Sequence, residues 1–211
     1  LSETTSSRSG IVFVISAPSG TGKSTLARRL VESVPGLRFS VSYTTRPRRA
    51  GEESGREYHF VDRERFEALA TSGGLLEWAE VFGQRYGTGR EATASALASG
   101  EDLLLDIDVQ GARQIRASGL DAISIFVLPP SYEALEARLR MRASDDPLAV
   151  AGRLSEARRE SMEYDQFDYV VVNAELEEAT STLASIVRAE RSKTARLRER
   201  VAEILETFPA P

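Results

Sequence analysis

The chain has 211 residues, is 41% hydrophobic and carries a formal charge of -5, with a sequence pI of about 5.2; this describes a globular protein with a substantial core and no general attraction for nucleic acid or an anionic membrane surface. It has no cysteine and one histidine, His59, which excludes disulfides, iron–sulfur clusters, thiolate zinc sites and multi-histidine metal centres. No apolar run approaches the roughly 20 residues of a membrane span and the polar start of the chain has no signal-peptide core, so a cytoplasmic location is the expectation.

Residues 1–9 are expected to be a disordered leader. Ile11–Ser16 (IVFVIS) is a short continuous apolar run, the mark of a strand buried on both faces. Asp102–Asp106 (DLLLD), Ala122–Leu128 (AISIFVL) and Asp168–Val172 (DYVVV) have the same character. Helical patterns separate them, at about Ser24–Val34, Glu91–Ser99, Val109–Ser118, Tyr132–Arg142 and Leu148–Tyr164, with a further one from Leu176 to Arg191 or beyond. The alternation predicts an α/β fold, a parallel sheet flanked by helices.

Between Ser40 and Gly89 the rhythm changes. Short β-like pieces (Phe39–Tyr43, Tyr58–Val61, Leu75–Val81), a helix at about Arg63–Ser72 and Gly-rich turns predict an inserted α+β subdomain. A second, helical and arginine-rich insertion covers about Tyr132–Arg159. The expected division is a core at 10–39, 89–131 and 160–211, a subdomain at 40–88 and a helical lid at 132–159. In the tail, Leu197, Val201, Ile204, Leu205 and Phe208 recur at helical spacing. This predicts a helix packed on the core, with a second copy in a homo-oligomer as the alternative.

Ala17-Pro18-Ser19-Gly20-Thr21-Gly22-Lys23-Ser24 follows the first strand and opens a helix, the context a Walker A phosphate loop requires. Gly20 and Gly22 let backbone N–H groups turn inward around phosphate oxygens, and the helix start adds its positive end, with Thr25 beside it. Lys23 should reach the β- and γ-phosphates and Ser24 should ligate Mg²⁺. Ala17 stands where the motif has glycine. Asp106 ends a buried strand, where ligands collect in open α/β sheets, and can serve the magnesium shell. Asp108 either joins it or caps the next helix.

Ser42-Tyr-Thr-Thr-Arg46-Pro-Arg-Arg49 concentrates arginines that could bind phosphate through their forks or simply solvate a loop. Here a resemblance becomes specific. The chain resembles the guanylate kinases, through Ser40–Glu52, Tyr58-His-Phe, Glu77-Trp-Ala-Glu, Tyr86-Gly-Thr, Asp106-Ile-Asp-x-Gln-Gly111 and Pro129-Pro-Ser, in family order across roughly Val12 to Glu190. The resemblance implies a P-loop NTPase core with a GMP-binding subdomain and a lid, and an ATP:GMP phosphotransferase dependent on Mg²⁺. It implies that Arg46, Arg49, Tyr58 and Tyr86 hold the GMP phosphate, that Ser42, Glu77 and Thr88 read guanine with Asp108 near the same edge, and that Asn173 lies near the adenine. Guanine's N1–H and N2–H₂ form a donor pair that a carboxylate accepts, whereas adenine presents an acceptor at N1.

The resemblance also implies that the lid arginines Arg138, Arg142 and Arg153 close over ATP and spread the charge of the moving phosphoryl group. Arg140 reads as a surface residue, and His59, alternating away from Tyr58, receives no catalytic role. The lid departs from the family at Ala143, where glycine is usual, and at Ser144-Asp-Asp-Pro147. Two other readings remain open. One is a non-catalytic module that uses the GMP pocket for phosphopeptides, as guanylate-kinase-like scaffold domains do, against which the intact Lys23-Ser24 pair stands. The other is a related kinase with a different acceptor, against which Ser42, Glu77 and Thr88 stand.

Overall fold

The structure, a computed structural model, describes residues 8–81, 83–142 and 147–209, and no side chain from 142 to 149. In chain order its elements are β1 (Val12–Ser16), α1 (Lys23–Ser33), β2 (Leu37–Phe39), β3 (Tyr43–Thr44), β4 (His59–Phe60), α2 (Arg63–Thr71), β5 (Leu75–Val81), β6 (Gln84–Gly89), α3 (Arg90–Ala98), β7 (Asp102–Asp106), α4 (Val109–Ala117), β8 (Ala122–Leu128), α5 (Tyr132–Arg142), α6 (Pro147–Ser161), β9 (Tyr169–Val172), α7 (Leu176–Arg191) and α8 (Thr194–Glu206). No helix among the described residues is long and apolar enough to cross a membrane.

The larger sheet runs β2-β7-β1-β8-β9, and every neighbouring pair in it is parallel. Its central strand β1 is buried along its whole length. Alternation sends Phe13 and Ile15 into one layer with Leu26 and Leu30 of α1 and Leu183 and Val187 of α7. Val12 and Val14 enter the opposite layer with Ala112 and Ile115 of α4. Helices therefore cover both faces, as the continuous apolar strands require. The smaller sheet runs β4-β3-β6-β5. Phe66 of α2 lies buried beneath it with its ring 6.2 Å from that of Trp78. Helices α5 and α6 share their own small core of Leu135, Leu139, Val150, Leu154 and Ala157.

Four features differ from the sequence reading. The expected piece Phe39–Tyr43 divides, because Leu37–Phe39 pairs with β7 in the large sheet while Tyr43–Thr44 joins the small one. A Gly-rich stretch is the strand β6: side chains are missing there because a Cβ on Gly87 would lie 2.9 Å from Glu77 O and one on Gly89 2.9 Å from the Tyr43 ring. The helix expected to reach Tyr164 stops at Ser161 and is followed by a 3₁₀ turn at Tyr164–Gln166. The tail helix α8 does not pack its apolar stripe on the core: Val201, Ile204, Leu205 and Phe208 are exposed.

Of the expected leader, residues 1–7 lie outside the described residues. Arg8 instead grips the start of β7: both oxygens of the Asp102 carboxylate accept from it, at 2.9 Å each. The same carboxylate accepts from Ile11 N–H at 2.8 Å and from Arg191 Nε at 2.7 Å, and Arg191 also donates to Pro35 O at 2.9 Å. Asp102 has no exposed surface. Burial pushes its carboxyl up, but the Arg8, Ile11 and Arg191 bonds outweigh it and hold the carboxyl below the usual range. A carboxyl of depressed pKa stabilises the fold above its unfolded pKa of about 4, and the contribution disappears as pH falls through the lower folded value. Asp102→Asn should cost about 3–5 kcal/mol at pH 7 by leaving Arg8 and Arg191 without their counter-ion. In urea unfolding, the gap from the native protein should close only below about pH 4; a gap constant down to pH 2 would refute this account.

Candidate active site

The phosphate loop is braced from several sides. The Ala17 methyl is buried in the same cluster as Phe13 and Leu26, which accounts for alanine at the motif's entry position. Gly20 and Gly22 have φ of 89° and 94°, backbone that side chains rarely adopt. A Cβ on Gly22 would also lie 2.8 Å from Asn173 Nδ2. The Thr21 hydroxyl donates to Pro18 O at 2.7 Å and so turns into the loop. Thr25 is exposed, with its N–H donating to Gly22 O at 3.1 Å. The loop walls a cleft of about 510 Å³, which Asp108, Arg153 and Glu160 also line.

Lys23 reaches across to the end of β7. Its Nζ donates to the Asp106 carboxylate and, at 2.8 Å, to Ile107 O. Ser24 and Asp106 line one cavity together. They offer a hydroxyl and a carboxylate, both hard oxygen donors, and the described residues hold no cluster of three or more acidic or histidine groups that could cage a metal. This donor set fits Mg²⁺, which takes one or two protein oxygens and completes its shell with phosphate and water.

A second cavity, of about 640 Å³, opens between the two sheets and is lined by Ser42, Tyr58, Glu77, Tyr86, Asp106 and Asp108. Lys23, Ser24 and Asp108 line both cavities. Glu77, on β5, sits opposite Thr88 of β6 and accepts from its hydroxyl at 2.6 Å. Thr88 is fully buried, so it reaches the cavity only through Glu77. Asp108 caps α4, accepting from Gly111 N–H at 2.7 Å; the capping role and the place on the cavity wall coincide. Burial pushes the Tyr58 phenol above its ordinary range, which keeps it a proton donor. His59 stacks on Tyr43, centroids 4.8 Å apart.

Arg46 does not reach into the cavity freely. Its fork holds the Glu52 carboxylate at 3.0 and 2.7 Å, and it lies over the rings of Tyr58 and Phe60 at 5.4 and 5.6 Å. The Arg46–Glu52 hydrogen bond raises the pKa of Arg46 and lowers that of Glu52. Glu52 also accepts from the backbone N–H of Arg49, which is exposed. This partner of Arg46 went unrecognised in the sequence, although a Glu six positions after the arginine was the available signal.

Two residues expected to touch the triphosphate or adenine brace the loop. Asn173 Nδ2 donates to Thr21 O at 2.8 Å, and Arg138 donates to Thr21 O at 3.1 Å and to Asn173 O at 3.0 Å. Arg153 stands on the cleft wall with Glu160. The side chain of Arg142, and the departures at 143–146, fall outside the described residues. Arg140 pairs with Glu136 one turn away, at the surface. Glu160 was not singled out by the sequence: burial, with Glu156 nearby, pushes it up to about 7 against the opposing pull of the Ser19 backbone N–H.

Comparison with known proteins identifies relatives of the chain. A family profile described as guanylate kinase matches residues 9–190. The guanylate kinase of Rhodopseudomonas palustris is 50% identical over 190 residues, covering 90% of this chain and 86% of that protein. That of Neisseria gonorrhoeae is 49% identical over 199 residues, covering 94% and 97%. The crystal structure of guanylate kinase from Anaplasma phagocytophilum superposes with a TM-score of 0.73 at 37% identity, covering 97% of this chain and 98% of that one.

Glu77 supplies a test that needs no ligand. It is 4% exposed, and burial pushes its carboxyl up to about 7 against the downward pull of the Thr88 hydroxyl, with Asp108 adding to the rise. A raised carboxyl favours the fold below its unfolded pKa and loses that contribution as pH climbs to the folded value. Relative to Glu77→Gln, the native protein should therefore lose roughly 3 kcal/mol of unfolding free energy between about pH 4.5 and 7. Glu160 titrates in both proteins and cancels. A difference that is flat with pH would contradict the assignment.

Proposed function

The chain belongs to the guanylate kinase family, and from that premise we propose that its two cavities are the donor and acceptor halves of one phosphoryl-transfer site. The reaction is ATP-dependent phosphorylation of GMP to GDP, and the enzyme is a nucleoside monophosphate kinase. The observation that carries the residue assignment is the wall common to both cavities. Lys23 and Ser24 face the phosphate-loop cleft and the acceptor cavity at once, so a γ-phosphate and an acceptor phosphate would meet at the same two side chains.

ATP occupies the loop cleft, with its phosphates against the inward N–H groups between Ser19 and Ser24. GMP occupies the second cavity. Its guanine edge gives N1–H and N2–H₂ to Glu77, assisted by Ser42, while Thr88 holds Glu77 in line. Its phosphate accepts from Tyr58, Tyr86, Arg46 and Arg49. A GMP phosphate oxygen forms a bond to the γ-phosphorus as the bond to the ADP oxygen breaks. Lys23 follows the charge across, and Arg142 and Arg153 complete the cationic cage from the lid. Ser24 and Asp106 would hold Mg²⁺, which would supply positive charge to offset that of the phosphates. Arg138 and Asn173 are assigned to holding the loop's shape as well as the nucleotide. Both substrates are cytoplasmic metabolites, which is what supports that location.

An acceptor panel tests the reading. In a coupled ADP-release assay GMP should be used far better than AMP, dTMP or UMP; equal turnover of AMP and GMP would end the guanine assignment. Lys23→Ala should lower kcat by about three orders of magnitude or more with the fold intact by circular dichroism. Near-normal kcat would take Lys23 out of the mechanism. Because Glu77 is about half protonated at pH 7, GMP binding should expel about half a proton there. Calorimetry in buffers of different ionisation enthalpy reads this directly, and the effect should vanish in Glu77→Gln.

A further inference from the structure

Glu77 can stand where it does because α4 leaves room for it. A Cβ on Gly111 would lie 2.6 Å from Glu77 Oε2 and 3.3 Å from its Cδ, closer than the carboxylate and a methyl group can approach without one of them moving. Gly111 is the third residue of α4 and is not among the glycines of positive φ. Its lack of a side chain therefore provides clearance and no special backbone conformation. Glycine in a helix costs about 1 kcal/mol relative to alanine, so α4 is locally weakened at the point where the carboxylate rests.

One turn further along the same face, Gln114 fixes the strand that carries Glu77. Its amide donates to Trp78 O at 2.7 Å and accepts from Trp78 N–H at 3.1 Å, a two-point bond to the residue next to Glu77. Thr88 holds Oε1 from the other side at 2.6 Å. We propose that Gly111 and Gln114 are positioning residues for base recognition: the first sets the depth of the Glu77 carboxylate in the acceptor cavity, and the second sets its position along β5. The inference rests on Glu77 being the guanine-reading residue. A carboxylate that accepts two parallel hydrogen bonds must meet the base edge with both oxygens, and a displacement of about 1 Å breaks one of them.

Inosine monophosphate keeps the N1–H of GMP and lacks the 2-amino group, so the preference for GMP over it reports the second bond alone. The experiment measures kcat and KM for GMP, inosine monophosphate and ATP in the native enzyme, Gly111→Ala, Glu77→Ala and the double variant. Gly111→Ala should raise KM for GMP about tenfold or more and reduce the GMP preference by a similar factor, with KM for ATP within about twofold. With Glu77 truncated the clash is gone, so adding Gly111→Ala should change KM for GMP by less than about twofold and raise Tm, as alanine in a helix does. Unchanged KM for GMP in Gly111→Ala, a parallel rise for GMP and ATP, or a full further loss in the double variant would each overturn the proposal. If Glu77→Ala itself leaves KM for GMP unchanged, it is the assignment of Glu77 that fails. Gln114→Met, which keeps the length and removes both bonds to Trp78, decides the matter if Gly111→Ala does not fold: KM for GMP should rise about threefold or more with ATP unaffected, and equal values for both substrates would refute it.

Discussion

The carbonyl oxygen of Thr21 is where the parts of the molecule are joined. A loop that turns its N–H groups inward must turn carbonyls outward, and a carbonyl away from water needs a donor. Asn173, at the end of β9, and Arg138, on α5, both donate to this one oxygen. The loop is thereby fixed to the far edge of the sheet and to the first lid helix at the same time. Gly20 and Gly22 supply the positive φ on either side of this carbonyl without steric cost. Gly20 is further enclosed by Leu139, whose side chain would lie 2.7 Å from an added Cβ.

The cations of the site are held by carboxylates of the same chain. Lys23 is paired with Asp106 and Arg46 with Glu52. A partly buried ammonium or guanidinium without a counter-ion would be costly, so these pairs offset the cost of holding cations in the site. Discrimination is arranged differently. Glu77, the proposed base reader, has a neutral hydrogen-bond partner, Thr88, and a raised pKa, so its charge is left for a ligand's donors and is not matched by an ion pair within the protein.

Much of the large sheet was legible because its strands are continuous apolar runs, which few other arrangements accommodate. β6 was not, since its glycines look like turn residues until the crowding by Tyr43 and Glu77 is known. The exposed stripe of α8 was misread because helical spacing gives the direction of an apolar face but not what the face meets. In the site, the phosphate loop could be read from spacing alone. Glu77 and Tyr58 could not, and were reached only by resemblance. The brace made by Arg138 and the clearance at Gly111 depend on residues far apart in sequence and on distances of a few ångströms, for which a single chain of letters carries no signal.

The bond from Asn173 to Thr21 spans 152 positions of the chain. At ribosomal speed this separates the emergence of the two residues by on the order of ten seconds. The Lys23–Asp106 pair is 83 positions apart, and the parallel partners of β1 also come late. For most of its synthesis the nascent protein thus carries the letters of a phosphate loop without its shape. Nucleotide cannot template the early stages of folding, because the groups that fix the loop have yet to be made, and it stabilises the finished domain alone. Such a chain depends on its own long-range strand pairing, or on chaperones, to reach the state in which its substrates begin to help.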